Sequence, residues 1–273
     1  MPKDFRVLGI VIIFLASCST NAESTQPTVN TPTVSPSEPI SAFSAMELSW
    51  QIQYSGEIDY SLDVDVYNLD LFDTTSESIA NLKERGIFVM CYFSAGSHED
   101  WRPDANDFPD ATLGKSMQGW AGETWLDIRQ IDELRPIIEK RLDLATLKGC
   151  NGVDPDNVNG YENDTGFSLT YSDQIAFNTF LADEAHKRGL LVGLKNDLNQ
   201  ITELVSYFDW VINEECFSYG ECNLLLPFIK AGKPVFVIEY ELSPQEFCVQ
   251  SNQMNFNALY KNLELDAYRV ACR

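Results

Sequence analysis

The 273-residue chain carries 41 acidic against 19 basic residues, a formal net charge of -22 at pH 7. Phosphate backbones bind basic surfaces, so nucleic acid is excluded as a partner, whereas a cationic polymer would be drawn to this one. No apolar run of about 20 residues occurs, which leaves no transmembrane helix.

Residues 1–18 read as an export signal. Lys3 and Arg6 precede an apolar run over 7–16 that is too short to span a bilayer. The run ends in Leu15-Ala16-Ser17-Cys18, which resembles the bacterial lipobox, so Cys18 is the expected lipidation site. An exported protein, held to the cell envelope by a lipid or cleaved and secreted, is the reading. Residues 19–45 are rich in Ser, Thr, Pro and Asn and bury too little apolar surface to order themselves, so they are expected to form a tether. Residues 46–273 then make one domain of the size of an α/β barrel.

Short apolar runs recur along that domain, at 50–53, 64–72, 87–93, 152–156, 190–195, 210–214, 234–240 and 267–271. Several lack strict alternation, as strands buried on both faces do. Helical spacing of apolar residues covers 131–147 and 171–187, and Lys148-Gly149 and Arg188-Gly189 supply the stop signals. Further helices are expected at 200–207, 223–230 and 245–263. Eight strands alternating with helices predict a (β/α)8 barrel; an open doubly wound sheet is the alternative, but no glycine-rich phosphate turn follows the first strand.

Apart from Cys18, six cysteines remain: Cys91, Cys150, Cys216, Cys222, Cys248 and Cys272. In an exported chain they are expected to pair, with 15 possible arrangements. Cys216 with Cys222 would clip one loop, and Cys91 with Cys150 and Cys248 with Cys272 is the simplest completion. A zinc site lacks a close cysteine pair and a neighbouring histidine.

Barrel chemistry sits at the C-terminal ends of strands. There the sequence places Asp70 and Asp73; Ser94, Ser97, His98 and Glu99; Asp154 and Asp156; Lys195, Asn196 and Asp197; Glu214 and Glu215; and Glu239 and Glu241. Asp154 and Asp156, two apart on one strand, point to the same side. With His98 and His186 the only histidines, a Ser-His-Asp site or a histidine-bound metal is poorly supplied. Neither a metal nor an organic cofactor is expected. Paired carboxylates without a usable histidine point to glycoside hydrolysis, one acid protonating the leaving oxygen while the other attacks or activates water. Lys195 beside the acid of the fourth strand would favour its ionised form by roughly 1–3 pKa units. The acid of the sixth strand, near Glu215, is expected to stay protonated. Trp50, Trp101, Trp120, Trp125, Tyr92 and Tyr161 offer faces on which a sugar ring can stack.

Six ordered motifs carry a resemblance: Trp50-Gln51-Ile52-Gln53, Asp70-Leu71-Phe72-Asp73-Thr74, Tyr92–Ser97 with Trp101-Arg102-Pro103, Gly152–Asn157, Gly193–Asp197 and Asn213–Cys216. Together they resemble glycoside hydrolase family 114, the endo-α-1,4-polygalactosaminidases, over roughly residues 49–273. The resemblance implies a (β/α)8 barrel that cleaves galactosamine-containing polymers such as galactosaminogalactan by a retaining route. By position it makes Asp156 the nucleophile and Glu214 the acid/base, with Asp154 a supporting acid. Glu215 stands where the family has glutamine, an extra anion able to raise the pKa of Glu214 or bind an amino group. Substrate contacts are expected from Trp50, Asp70, Tyr92, Asp154, Lys195, Asp197, Glu215 and Glu239. The partner is an amino-sugar polysaccharide, the membrane is met only through the lipid on Cys18, and the protein is expected to be a monomer. Two alternatives stand beside this reading: a non-catalytic polysaccharide-binding lipoprotein, and a glycosidase of different linkage specificity.

Overall fold

A computed structural model describes residues 47–273. The export signal, Cys18 and the tether lie outside the described residues. In chain order the elements are β1 (Trp50–Gln53), β2 (Val66–Asp70), α1 (Ser76–Glu84), β3 (Phe88–Ser94), β4 (Ser97–Glu99), β5 (Leu113–Ser116) and β6 (Glu123–Leu126). They continue as α2 (Ile131–Lys148), β7 (Gly152–Asp156), α3 (Tyr171–Lys187), β8 (Leu191–Lys195), α4 (Ile201–Leu204) and β9 (Trp210–Glu214). Last come α5 (Cys216–Tyr219), α6 (Leu226–Lys230), β10 (Val235–Glu239), α7 (Pro244–Gln253), β11 (Asn257–Tyr260) and β12 (Val270–Ala271).

Eight strands pair in parallel in the order β1-β2-β3-β7-β8-β9-β10-β11, with β12 antiparallel on β11. The sheet curls into a TIM-type barrel. Its seam is bridged largely by side chains: Trp50 Nε1 donates to the Asn257 carbonyl at 3.0 Å, and Lys261 Nζ donates to Gln51 Oε1 at 3.2 Å. Inward residues recur every second position, so Trp50, Ile52, Val66, Phe88, Met90, Trp210, Ile212, Phe236 and Ile238 fill the barrel. Gly193 makes room for this plug, since a Cβ there would lie 2.1 Å from Trp210 Nε1. Outward residues of the same strands pack under the helices in a second, larger core.

Two expectations need correction. The eighth parallel strand is Asn257–Tyr260, not 267–271, and the helix expected to run to 263 stops at Gln253. Asn255 takes a left-handed φ of 59°, which ends the helix, and Phe256 is then fully buried. Residues 95–130 add an element that no expectation covered, an antiparallel sheet ordered β4-β6-β5 between β3 and α2.

The cysteines pair as the simplest set: Cys91–Cys150, Cys216–Cys222 and Cys248–Cys272, with sequence separations of 59, 6 and 24. The first ties β3 to the turn that opens β7, and the second closes the loop directly after β9. A cross-link stabilises more when it closes a longer loop. Replacing Cys91 and Cys150 together by Ala should therefore cost about 4 kcal/mol, against about 2 kcal/mol for Cys216 and Cys222. Chemical denaturation of the two double variants checks this; a larger loss from the short loop would overturn the loop-entropy account.

Candidate active site

Three adjacent strands end on one charged cluster. Lys195, the last residue of β8, is only 2% exposed, and its Nζ lies 3.5 Å from Asp156 Oδ2 on β7 and 3.6 Å from Glu214 Oε2 on β9. The sum of those two distances limits the separation of the two carboxylate oxygens to about 7 Å. Burial would lower the Lys195 ammonium, but Asp156, Glu214 and Asp154 around it outweigh burial and hold its pKa above the usual lysine value. It is a fixed positive charge.

Each acid has its own donors. Asp156 Oδ2 accepts from Tyr92 OH at 3.2 Å, and Oδ1 accepts from the Asn157 backbone N–H at 2.7 Å. Glu214 Oε1 accepts from Tyr240 OH at 2.5 Å and Oε2 from Asn196 Nδ2 at 3.3 Å. Burial alone would raise the Glu214 carboxyl, but Lys195, Tyr240 and Asn196 outweigh it and hold the pKa below the ordinary value. This corrects the expectation that the acid of this strand rests protonated. Glu215 is not the deciding neighbour: it takes a left-handed φ of 64° and heads α5.

Beneath them Asp154, fully buried, accepts from Asn68 Nδ2 at 2.7 Å and from Tyr54 OH at 3.3 Å. Burial, only partly countered by Lys195, pushes its carboxyl up to about 6. Tyr54 stacks on Tyr92 with ring centroids 4.3 Å apart. A cavity of about 240 Å³ opens above, walled by Asp156, Lys195, Glu214, Tyr54, Tyr92 and Tyr240, and by Trp120, Glu123 and Leu263 on the outer loops.

Of the other expected contacts, several point elsewhere. Trp50 starts its strand, so it plugs the barrel at the end away from the site and is 1% exposed. Tyr54, four residues further on the same face, reaches the rim in its place. Asp70 is clamped by Arg102 at 3.0 and 2.7 Å and accepts from the Phe72 and Asp73 N–H groups. Glu239 faces outward, opposite to Tyr240, and accepts from Phe217 N–H at 2.8 Å and Ser218 Oγ at 2.7 Å, which fixes the first turn of α5. Asp197 lines a neighbouring cavity rather than this one.

Tyr54, Tyr240 and Glu123 were missed. The first two follow directly on strand ends and continue the inward alternation, a signal present in the sequence. Glu123 comes from β6 in the inserted sheet and had none. Its Oε1 accepts from Ser97 Oγ and, at 3.0 Å, from Asn157 Nδ2. Burial pushes this carboxyl up to about 7 from an ordinary 4.5. Because the folded value lies above the unfolded one, its contribution is most favourable below about pH 4.5 and is lost as pH rises through about 7. Glu123→Gln, which keeps the accepting oxygen, should therefore raise Tm over wild type at about pH 8, by up to about 3 kcal/mol of stability, and show no gain near pH 4. Thermal melts across pH check this; an equal effect at both ends would refute the burial argument.

The model of the glycoside-hydrolase family GH114 matches residues 25–273. No curated protein matches the chain. Among solved structures, the chain is similar to Ega3 of Aspergillus fumigatus in complex with galactosamine, with 41% identity and a TM-score of 0.80 over 84% of this chain and 96% of that one. The glycoside hydrolase domain of PelA from Pseudomonas aeruginosa has 15% identity and a TM-score of 0.64, covering 82% of this chain and 98% of that one. Amy13B of Eubacterium rectale, at 12% identity and a TM-score of 0.52 over 80% and 65% of the two chains, shares the fold alone, as PelA does. With the family model and a 41%-identical relative both spanning the barrel, the chain belongs to glycoside-hydrolase family GH114 and is a glycoside hydrolase.

Proposed function

We propose that the protein is an endo-acting hydrolase of α-1,4-linked, galactosamine-containing polysaccharide, with Asp156 as nucleophile and Glu214 as acid/base. The observation that carries the roles is the pair of carboxylates held on one buried ammonium within about 7 Å of each other. Retaining enzymes place their acids about 5–5.5 Å apart and inverting ones about 6.5–9.5 Å apart; a limit of about 7 Å between Asp156 Oδ2 and Glu214 Oε2 accommodates the retaining spacing. The galactosamine in the Ega3 complex and the acidic surface of this chain support a cationic amino-sugar substrate. Export and attachment through a lipid on Cys18, with action as a monomer, complete the reading; residues 1–18 support the first two.

In the first step Asp156 Oδ2 attacks the anomeric carbon as the bond to the leaving oxygen breaks, and that oxygen takes the proton of Glu214. Water then attacks the glycosyl-aspartate, giving its proton to Glu214 and releasing Asp156. Lys195 and Tyr92 hold the Asp156 carboxylate in line, and Tyr240 orients Glu214. Asp154 supports Lys195 from below.

Asp156→Asn and Glu214→Gln should each lower kcat by at least about a thousandfold without unfolding the barrel. Reducing-end release from a galactosamine polymer measures this, and near-normal turnover in either variant would remove the assignment. Binding without release of reducing ends by wild type would instead favour a non-catalytic polysaccharide-binding barrel, and cleavage of other polymers only would favour a different linkage. Proton NMR of the first-formed product should show the α-anomer; the β-anomer would mean inversion.

The step needs Glu214 protonated and Asp156 ionised, yet the free site lowers the Glu214 pKa. The profile of kcat/KM should therefore fall as pH rises through the acid range. Tyr240→Phe removes a donor to the Glu214 carboxylate, so its descending limb should move to higher pH. An unmoved limb would mean that another group sets it.

A further inference from the structure

The turn that leaves β7 is held from outside the barrel. Asp156 Oδ1 accepts from the Asn157 N–H at 2.7 Å, and Asn157 takes a left-handed φ of 61° as the chain leaves the strand. The Asn157 side-chain Nδ2 lies within reach of three oxygens: Ser94 Oγ at 2.8 Å, Glu123 Oε1 at 3.0 Å and Ser97 Oγ at 3.2 Å. Ser94 and Ser97 are fully buried, and Glu123 is 6% exposed. The backbone is gripped as well, since the Ala95 and Gly96 N–H groups donate to the Asp156 carbonyl at 2.9 and 3.1 Å.

Glu123 gives this cluster its direction. Ser94 Oγ and Ser97 Oγ bond to each other, and Ser97 Oγ donates to Glu123 Oε1. A hydroxyl carries one proton, so Ser97 spends its own on the carboxyl and can only accept from Ser94 and Asn157. Glu123 Oε1 accepts in the ionised carboxylate and equally in a carboxyl protonated on its other oxygen. The Asn157 amide therefore meets acceptors alone, and turning it over would set its own oxygen against that of Glu123. Without that oxygen Ser97 is free to turn its proton toward Asn157, and either face of the amide is accepted. The inserted sheet does not depend on this contact for its docking: the Leu126 N–H donates to the Gly96 carbonyl at 3.0 Å and the Lys115 N–H to the Thr165 carbonyl at 2.8 Å.

We propose that Glu123 is a positioning residue for the nucleophile: it orients the Asn157 amide, the amide tethers a turn that side chains disfavour, and the turn sets the Asp156 carboxylate. The inference rests on Asp156 as nucleophile, as proposed above. Lys195 and Tyr92 hold that carboxylate through Oδ2, whereas the turn holds it through Oδ1. The torsion that rotates a carboxylate is soft, so its plane is fixed only when both oxygens are held. A carboxylate rotated out of line still occupies the cavity, and the loss falls on the rate of attack rather than on binding.

Reducing-end release from galactosamine polymer by Glu123→Gln, Glu123→Leu, Asn157→Gly and the double variant Glu123→Leu/Asn157→Gly tests this. Glycine suits a left-handed φ, so Asn157→Gly removes the tether without straining the turn. Glu123→Leu and Asn157→Gly should each lower kcat by about thirtyfold with KM within about twofold of wild type, and the double variant should fall no more than about twofold further. Glu123→Gln keeps the accepting oxygen and should hold kcat within about threefold. A raised KM with unchanged kcat in Glu123→Leu would make Glu123 a substrate contact, and multiplying losses in the double variant would mean that it does not act through Asn157. Either result overturns the proposal, as does a loss in Glu123→Gln as deep as in Glu123→Leu. Should Glu123→Leu fail to fold, Asn157→Gly decides, and a kcat within about twofold of wild type would sink the tether. If wild type cleaves no such polymer, the proposed function fails separately. Crystal structures of the variants then decide the positioning: the Asp156 carboxylate should leave at least one of its two holds, and contacts unchanged at 3.5 Å to Lys195 and 2.7 Å to the residue 157 N–H would refute it.

Discussion

One buried ammonium organises the site. Lys195 is 2% exposed and meets Asp156 and Glu214 at 3.5 and 3.6 Å, with Asp154 below. Parallel register produces this meeting: β8 lies between β7 and β9, so their inward residues converge at one end. Burying a charge is costly unless it is paired, and here each partner needs the other. Lys195 cannot lose its proton without exposing three acids to one another, and each acid that withdraws leaves the buried cation less balanced. The geometry that the chemistry needs is thus also the geometry that desolvation enforces.

The cation does not neutralise the site. Elsewhere the structure matches its acids with arginine: Arg102 holds Asp70 and Glu99, and Arg141 holds Asp104 at 2.7 Å. Around the cavities Asp154, Glu123 and Asp197 have no such partner, and burial raises all three. Stability alone would favour apolar replacements at such places. Burial therefore holds these three carboxyls nearer their neutral form than exposed acids would be.

How far the sequence discloses this depends on whether the signal is local. Strands 50–53, 152–156 and 210–214 are legible to the residue because β-branched and aromatic runs end in turn-formers, and the helix at 171–187 shows both its capping box and its stop. Asn257–Tyr260 is not legible: four residues in the wake of a helix carry too few positions to show a period. Among site residues, Asp156, Glu214, Tyr92 and Lys195 follow from strand ends. Trp50 and Glu239 show the limit of that rule, since being on a strand does not say which end or which face. Tyr54 and Tyr240 meet both conditions, inward and just past the C-terminal end of a strand, whereas Trp50 is inward at the opposite end and Glu239 faces outward. Glu123 arrives on an inserted sheet whose docking is a tertiary event, made possible by Gly96, where a Cβ would lie 1.8 Å from the Asn157 carbonyl oxygen.

Where the strands stop, the backbone is held in a conformation that side chains disfavour. Of the six non-glycine residues with positive φ among the described residues, Asn157, Asn196, Asp197 and Glu215 directly follow β7, β8 and β9. Asparagine and aspartate tolerate this region better than glutamate, so Glu215 bears the greatest strain. Such strain persists only where the surroundings over-determine it. The Glu215 N–H donates to the Ile238 carbonyl at 2.7 Å, Glu239 secures the turn that follows, and the Cys216–Cys222 bridge closes it. At Asn196 the side chain does the same work, accepting the Glu214 N–H at 3.0 Å while donating to the Glu214 carboxylate. Each sharp turn lets a strand end point its last side chain inward while the chain departs at once for the next helix. A relaxed exit would carry Asp156, Lys195 and Glu214 apart, and the single ammonium would no longer reach both acids.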